Sequence, residues 1–265
     1  MRKKYYFTCL VFLIAFSMNS YGFGGSQIRH INDSRFYSIV YDFFSKGDKR
    51  LSPQVIRDLS TKLNDPHTAR EARQYIGSLG LSEAERGILF NKVAFMQGKI
   101  SGSEAKYIHR YLSEVPGYSA ILSKISGASD AKTKGHLFEL KIALETKKRG
   151  GEVRGFNYTY SDGVKRNLTD ADIIIASSNR LAVVEAKNYA VGKAPSLINV
   201  RADMQSMRAL QIDDYEIIRI FSMSHRPSDP RKLRLIQEES IKTGTHLVFG
   251  NPVEQAVQIQ RLMVR

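Results

Sequence analysis

The chain carries two adjacent apolar segments, Thr169-Asp-Ala-Asp-Ile-Ile-Ile-Ala176 and Leu181-Ala-Val-Val-Glu-Ala-Lys-Asn-Tyr189. Their runs of branched aliphatic residues predict two buried β-strands. The four polar residues between them, Ser177 to Arg180, have a usual length for a hairpin loop. The two segments therefore predict an antiparallel pair of strands.

Charged side chains lie at the polar ends of these two strands. Side chains two residues apart share a face of a strand, so Asp170 points the same way as Asp172, and Glu185 the same way as Lys187. Three carboxylates and one ammonium then meet at one place, and this is costly unless another charge compensates the cluster. Oxygen ligands of this kind suit a hard divalent cation such as Mg²⁺. An ordinary hairpin with a charged rim is the alternative interpretation.

The region around the hairpin, residues 128–265, predicts a sheet flanked by helices. A long helix over 129–149, closed by Gly150-Gly151, precedes a strand over 152–160. After the hairpin we expect a helix, a strand, a helix, a strand and a helix at 196–212, 215–223, 229–243, 246–249 and 252–262. This order predicts a mixed β-sheet of the α+β or α/β class.

Residues 23–127 predict a small all-helical domain. Signals that start helices recur along it, at Ser52-Pro53, Asp65-Pro66, Ser82 to Glu85 and Ser101 to Ser103. An amphipathic stretch from Phe36 to Phe43 precedes them, and Pro116-Gly117 predicts the end of the last helix. The chain is thus expected to have a helical half followed by a sheet-containing half.

Three motifs together carry a resemblance to a known superfamily. They are Glu139 on the long helix, Asp172 before an Ile-Ile-Ile strand, and Glu185-Ala-Lys187 at the end of the next strand. This set resembles the PD-(D/E)XK nuclease superfamily, which has the restriction-endonuclease-like fold, over about residues 128–250. The resemblance implies a metal-dependent phosphodiesterase that acts on DNA or RNA, with Mg²⁺ or Mn²⁺ as its cofactor.

The same resemblance implies roles for individual residues. Asp172 and Glu185 are expected to hold the metal, which lowers the pKa of a water and offsets charge at the phosphate. Lys187 is expected to position or activate the attacking water and to stabilise the developing negative charge. Glu139 is expected to help orient the metal or a water. Asp170 is either a further metal ligand or a cap at the start of its strand.

Several other residues are candidates for contact with substrate. In branches of the superfamily, a polar residue on the helix after the Glu-x-Lys strand lies near the phosphate, and Gln205 has that place. Lys165 and Arg166 lie in the loop before the first motif, where a phosphate backbone would pass. Tyr189 either stacks on a base or buries its ring. His136 precedes Glu139 by three residues, on the same helical face, and is expected at the rim of the site.

The composition favours a polyanionic partner. The 265 residues include 40 Lys and Arg but 26 Asp and Glu, which gives a net charge of +14. This surplus favours nucleic acid, with an anionic surface as the alternative. The resemblance to the nuclease superfamily implies DNA before RNA as that nucleic acid. The single cysteine, Cys9, lies near the start, so a chain shortened to residues 23–265 would have no disulfide and no zinc–thiolate site.

The first 22 residues predict a secretory signal peptide. Arg2-Lys3-Lys4 precedes an apolar stretch from Tyr5 to Met18, and cleavage is expected after Gly22. The stretch is short for a membrane span, although an uncleaved anchor is the alternative. We therefore expect a secreted or periplasmic protein with no stable membrane span after cleavage.

The sequence thus predicts an exported metal-dependent nuclease, with endonuclease activity favoured over exonuclease activity. A scavenging enzyme and a toxin both fit, and a toxin would have a cognate inhibitor or immunity protein as a partner. Two other classes stay open. One is a non-catalytic nucleic-acid-binding protein of nuclease-like fold, which would show salt-sensitive binding without cleavage. The other is a periplasmic interaction protein that acts through its helical half.

Overall fold

The structure is a computed structural model that describes residues 51–127, 130–160, 169–191, 193, 195–208 and 214–264. These residues form nine helices and a five-stranded mixed sheet. The predicted signal peptide and the amphipathic stretch from Phe36 to Phe43 lie outside the described residues. Within the described part of the chain, no helix has both the length and the apolar character needed to cross a bilayer.

Five helices form the first part of the described chain: α1 (Pro53–Asn64), α2 (Ala69–Ser78), α3 (Glu83–Met96), α4 (Gly102–Leu112) and α5 (Tyr118–Gly127). Three of the predicted starts are confirmed. The hydroxyl of Ser52 caps α1, and Ser82 and Ser101 each form a capping box at the start of α3 and α4. These caps satisfy amide groups that have no partner within the helix.

The start of α2 differs from the prediction at Asp65-Pro66. A carboxylate oxygen of Asp65 accepts a hydrogen bond from the amide of His67 at 2.9 Å, which holds the chain in a turn. The carbonyl of Asp65 also accepts from the amides of Thr68 and Ala69, so the helix begins at Ala69. Aspartate favours this local bonding to its own backbone over continuing a helix.

Helix α5 was missing from the sequence prediction, which placed only a stop at Pro116-Gly117. Gly117 has a φ of +81° and turns the chain into a further helix. A Cβ atom at this position would lie 2.5 Å from the carbonyl oxygen of Phe156, so the turn also requires the close approach that glycine allows. The amide of Phe156 donates to the carbonyl of Pro116 at 3.0 Å, which joins the helical part to the sheet.

The second part follows the predicted order of elements: α6 (Asp130–Lys148), β1 (Glu152–Tyr160), β2 (Thr169–Ser177), β3 (Arg180–Lys187), α7 (Leu197–Arg208), β4 (Glu216–Met223), α8 (Pro230–Thr243), β5 (Thr245–Phe249) and α9 (Pro252–Val264). The strands lie side by side in chain order. Strands β1, β2 and β3 are antiparallel, as predicted for the hairpin, whereas β3, β4 and β5 are parallel. The helices α7 and α8 form the crossovers that parallel neighbours require.

Alternate side chains of the strands bury two faces of the sheet. On one face, Ile173 and Val184 join a large core that includes residues of α6, of α9 and of the helical part from Leu51 to Ile125. On the other face, Ile174 and Val183 pack with α7 and α8. The helical part and the sheet therefore share one continuous core across the predicted boundary at residue 127.

Candidate active site

The register of the hairpin brings the two predicted metal ligands together. Ile173 pairs with Val184, so Asp172 and Glu185 occupy the next positions outward on the same two strands. A carboxylate oxygen of Asp172 accepts a hydrogen bond from the amide of Ala186 at 2.8 Å. This bond ties the Asp172 side chain to the backbone between Glu185 and Lys187 and fixes it at the carboxyl end of β3.

Lys187 is held between two carboxylates. Its ammonium donates to Glu185, which lies on the same face of β3, and to Asp203 of α7 at 3.0 Å. Helix α7 is fixed against the sheet by the buried side chains of Val200 and Met204. The packing of α7 therefore sets the position of Asp203 relative to the end of β3.

Asp203 was not among the residues predicted from the sequence. The apolar residues Val200 and Met204 of the predicted helix mark its inner face, and Asp203 lies about 80° from the centre of that face at 100° per residue. Gln205 lies about 120° away by the same count. Helical phase is therefore the sequence signal that favours Asp203 over Gln205.

Glu139 reaches the cluster from α6. Its side chain is 7% exposed, and its neighbours Phe138 and Leu140 are both buried. The Nδ1 atom of His136 lies 3.2 Å and 3.3 Å from the two carboxylate oxygens of Glu139. The amide of the Asn188 side chain donates to a carbonyl of the same helix at 2.9 Å, which ties the end of β3 to α6.

Burial and mutual repulsion disfavour the charged forms of the carboxylates. Burial raises the pKa of Asp172 well above its usual range, and the neighbouring charges of Glu185 and Glu139 raise it further. Burial also raises the pKa of Glu185 to about 7, although Lys187 opposes this rise. The site therefore favours any added positive charge near Asp172 and Glu185.

Lys187 stays charged at neutral pH in this environment. Burial works against its charge, but the carboxylates of Glu185 and Asp203 outweigh burial and raise the pKa of Lys187. Burial raises the pKa of Tyr189, whose ring packs against the core on the α7 face. Among the residues that the structure describes, the ammonium of Lys187 thus lies at the centre of the site with several carboxylates around it.

The donor atoms of the site are of the kind that Mg²⁺ prefers, but they are not arranged as a complete set of ligands. Among the residues that the structure describes, no three His, Cys, Asp or Glu side chains form a group that could hold a metal ion. Glu185 is bonded to Lys187, and Glu139 to His136. The chemistry of the donors nevertheless fits a hard divalent cation, which would compensate the buried charge of Asp172 and Glu185.

The remaining candidates differ in how the structure places them. Tyr189 lies half-buried beside the cluster, whereas Gln205 is exposed on α7 and points to a different side from Asp203. The backbone of Asp170 pairs with β1, but its side chain lies outside the described part, as do Lys165 and Arg166 altogether. Contact of any of these residues with substrate stays a prediction.

The chain matches none of the protein-family models and none of the curated proteins with which it was compared. The candidate active site therefore rests on the geometry and charge of its own side chains.

Proposed function

We propose that the protein is a divalent-metal-dependent nuclease that hydrolyses phosphodiester bonds, with DNA favoured over RNA as its substrate. The observation that carries this proposal is the meeting of Asp172, Glu185 and Lys187 at the end of one hairpin, with Glu139 reaching the same place from α6. Several carboxylates crowded around the ammonium of Lys187 are a costly arrangement for stability alone, which supports a role in chemistry.

The proposal includes a restriction-endonuclease-like fold. An antiparallel hairpin carries the acidic residues, and a helix then leads to a parallel strand, so helices cover both faces of the sheet. The acids lie on the two neighbouring strands β2 and β3, which form the antiparallel hairpin that the sequence predicts. This pairing supports the proposal beyond the spacing of the motif, because it depends on which strands become neighbours.

Each residue of the cluster has a distinct chemical role in this proposal. Asp172 and Glu185 would hold the metal ion, which, when bound, activates water and offsets negative charge at the phosphate. Lys187 directs its ammonium at the attacking water and at the charge that develops on the phosphate oxygens. Asp203 would keep the ammonium of Lys187 in place when Glu185 holds the metal. Glu139, which is hydrogen-bonded to His136, would help to orient the metal or a water.

The test is cleavage of plasmid DNA and of RNA by the purified protein with Mg²⁺. Asp172→Asn and Lys187→Ala are expected to lower the rate by about 10²–10³-fold or more. Asp214→Asn and Lys193→Ala, which change exposed residues of the same types, serve as matched controls and should cleave at the wild-type rate. Equal cleavage by all five proteins would refute the assignment, and salt-sensitive binding without cleavage would favour a binding protein instead.

We also propose that the protein acts outside the cytoplasm. Export through the predicted signal peptide would place the enzyme in the periplasm or outside the cell. There it would act as a scavenger of nucleic acid or as a toxin, and a toxin would have an inhibitor or immunity protein as its partner. Detection of the protein, shortened by its first 22 residues, in culture medium or periplasm would test the export.

A further inference from the structure

Two clefts on one side of the molecule meet at the start of α9. The first, of about 410 Å³, lies at the carboxyl ends of the parallel strands and is lined by Phe138, Asn188 and His225 among others. The second, of about 540 Å³, lies between α4 and α6. Both are lined by Asn251 and Pro252, so the two clefts adjoin at the start of α9, and we call them together the α4–α6 groove.

One face of α6 follows this groove from end to end. Phe138 lines the first cleft, and Lys141, Glu145 and Lys148 line the second. These positions recur at the spacing that places side chains on a single helical face. Glu139, the acid that α6 contributes to the candidate active site, is next to Phe138. The groove therefore begins beside the active site and extends along α6 for about 15 Å, at 1.5 Å per residue.

The far end of the groove combines aromatic rings with cations. Tyr107, which is 44% exposed, lines the second cleft, and its ring stacks on that of Tyr111 with centroids 6.5 Å apart. The ammonium of Lys148 lies 4.9 Å from the centroid of Tyr107, and the guanidinium of Arg110 lies 5.7 Å from that of Tyr111. Rings beside mobile cations are the surface on which unpaired bases stack while their phosphates are neutralised.

The two lysines of the groove are each paired with a glutamate. Lys141 contacts Glu104, and Lys148 contacts Glu145, each at 2.7 Å. The side chains of Lys141 and Glu104 are 40% and 35% exposed, and exposed pairs of this kind contribute little because solvent screens them. Lys141 can therefore exchange a carboxylate for a phosphate at small cost, whereas the side chains of Lys148 and Glu145 are 31% and 20% exposed and their pair is less screened.

We propose that the α4–α6 groove binds a single strand of nucleic acid, about four nucleotides long at the ~3.4 Å rise of a stacked strand, next to the bond that is cleaved. This proposal rests on the proposed function and specifies its substrate as single-stranded at this place. Single strands offer the faces of their bases to Tyr107, whereas paired and stacked bases in a duplex do not. The helical part of the chain thereby becomes part of the substrate-binding surface.

The test measures binding separately from cleavage. Labelled oligothymidylate and oligouridylate of about twelve nucleotides and a duplex of similar length are titrated in the presence of EDTA, with fluorescence anisotropy as the readout. We expect Tyr107→Ala to weaken binding of the single strands by about tenfold, and Tyr107→Phe to preserve binding because the ring remains. Lys148→Ala should weaken binding and reduce its dependence on salt. Tyr75→Ala, which removes another exposed tyrosine, is the control and should bind as the wild type does.

A second readout separates this proposal from the proposed function. Hydrolysis of bis(p-nitrophenyl) phosphate with Mg²⁺ tests the active site alone, because this substrate is too small to reach Tyr107. The wild type and the control Tyr75→Ala should hydrolyse it at the same rate. If the wild type binds the single strands but does not hydrolyse this substrate, the result would contradict the proposed nuclease activity and leave the groove standing. Equal binding by Tyr107→Ala and Tyr75→Ala, or duplex binding that depends equally on Tyr107, would overturn the groove. A difference between the two oligomers would assign the groove to DNA or to RNA.

Discussion

Replacing Glu185 with glutamine isolates the cost of keeping a carboxylate buried at the candidate active site. Burial raises the pKa of Glu185 to about 7, above the value of 4.5 for an unperturbed glutamate. The unfolded chain therefore loses the proton at lower pH than the folded chain. The stability that this group contributes is fully present below pH 4.5 and is lost as the pH rises through 7. A pKa difference of this size between the folded and the unfolded chain lowers the free energy of unfolding by about 3 kcal/mol at pH 8.

Glutamine keeps the shape of the side chain but does not titrate. The free energy of unfolding of Glu185→Gln, minus that of the wild type, should therefore increase by about 3 kcal/mol between about pH 4 and pH 8. Loss of the bond to Lys187 shifts this difference by a nearly constant amount, because Lys187 stays charged throughout. Removing the charge of Glu185 also removes one cause of the raised pKa of Asp172. This effect enlarges the difference in the free energy of unfolding in the same direction.

The assay is urea unfolding in EDTA at steps of pH, with the slope against urea checked for constancy. Glu114→Gln, which replaces an exposed glutamate after α4, is the matched control and should unfold as the wild type does in every buffer. A difference in the free energy of unfolding between Glu185→Gln and the wild type that does not change with pH would show that Glu185 is not held at a raised pKa.

Three further predictions follow from other parts of the structure. Mg²⁺ at a hundredfold excess over Kd and pH 8 should stabilise the wild type by about 3 kcal/mol. Thermal unfolding should show no such stabilisation of Asp172→Asn. Equal stabilisation of both proteins would place the metal elsewhere. Asp203→Asn should lower kcat by about tenfold with little change in KM. Asp203→Glu should recover part of kcat, and Asn199→Ala on the same helix should have no effect. A change in KM alone would contradict the role of Asp203 in holding Lys187. Gly117→Ala should cost about 2 kcal/mol or more in urea unfolding, because the position needs a positive φ and has no room for a Cβ atom; unchanged stability would contradict the close packing there.

The strands of the hairpin were predictable because their signal is local. Runs of branched aliphatic residues interrupted by a short polar loop specify strand, turn and strand with little help from the rest of the chain. Once the hairpin forms, the period of two places Asp172 opposite Glu185 and puts Lys187 on the same face. Spacing along the sequence was therefore enough to bring these three residues together.

Features that depend on distant contacts were not predictable in the same way. Asp203 belongs to the cluster only because α7 packs with Val200 and Met204 against the sheet, and that packing sets its rotation. Helix α5 has apolar residues at helical spacing, including Tyr118 and Ile121, but the stop at Pro116-Gly117 obscured it. The core that joins the helical part to the sheet depends on which surfaces meet, and local patterns carry no such information.

The most direct test of the central claim is a crystal structure of the protein soaked with Mn²⁺, in which anomalous scattering locates the ion. We expect one strong anomalous peak between the carboxylates of Asp172 and Glu185, with Lys187 turned from Glu185 toward Asp203. A peak at another place, or no peak at a Mn²⁺ concentration that supports cleavage, would contradict the assignment of these residues as the site of metal-dependent hydrolysis.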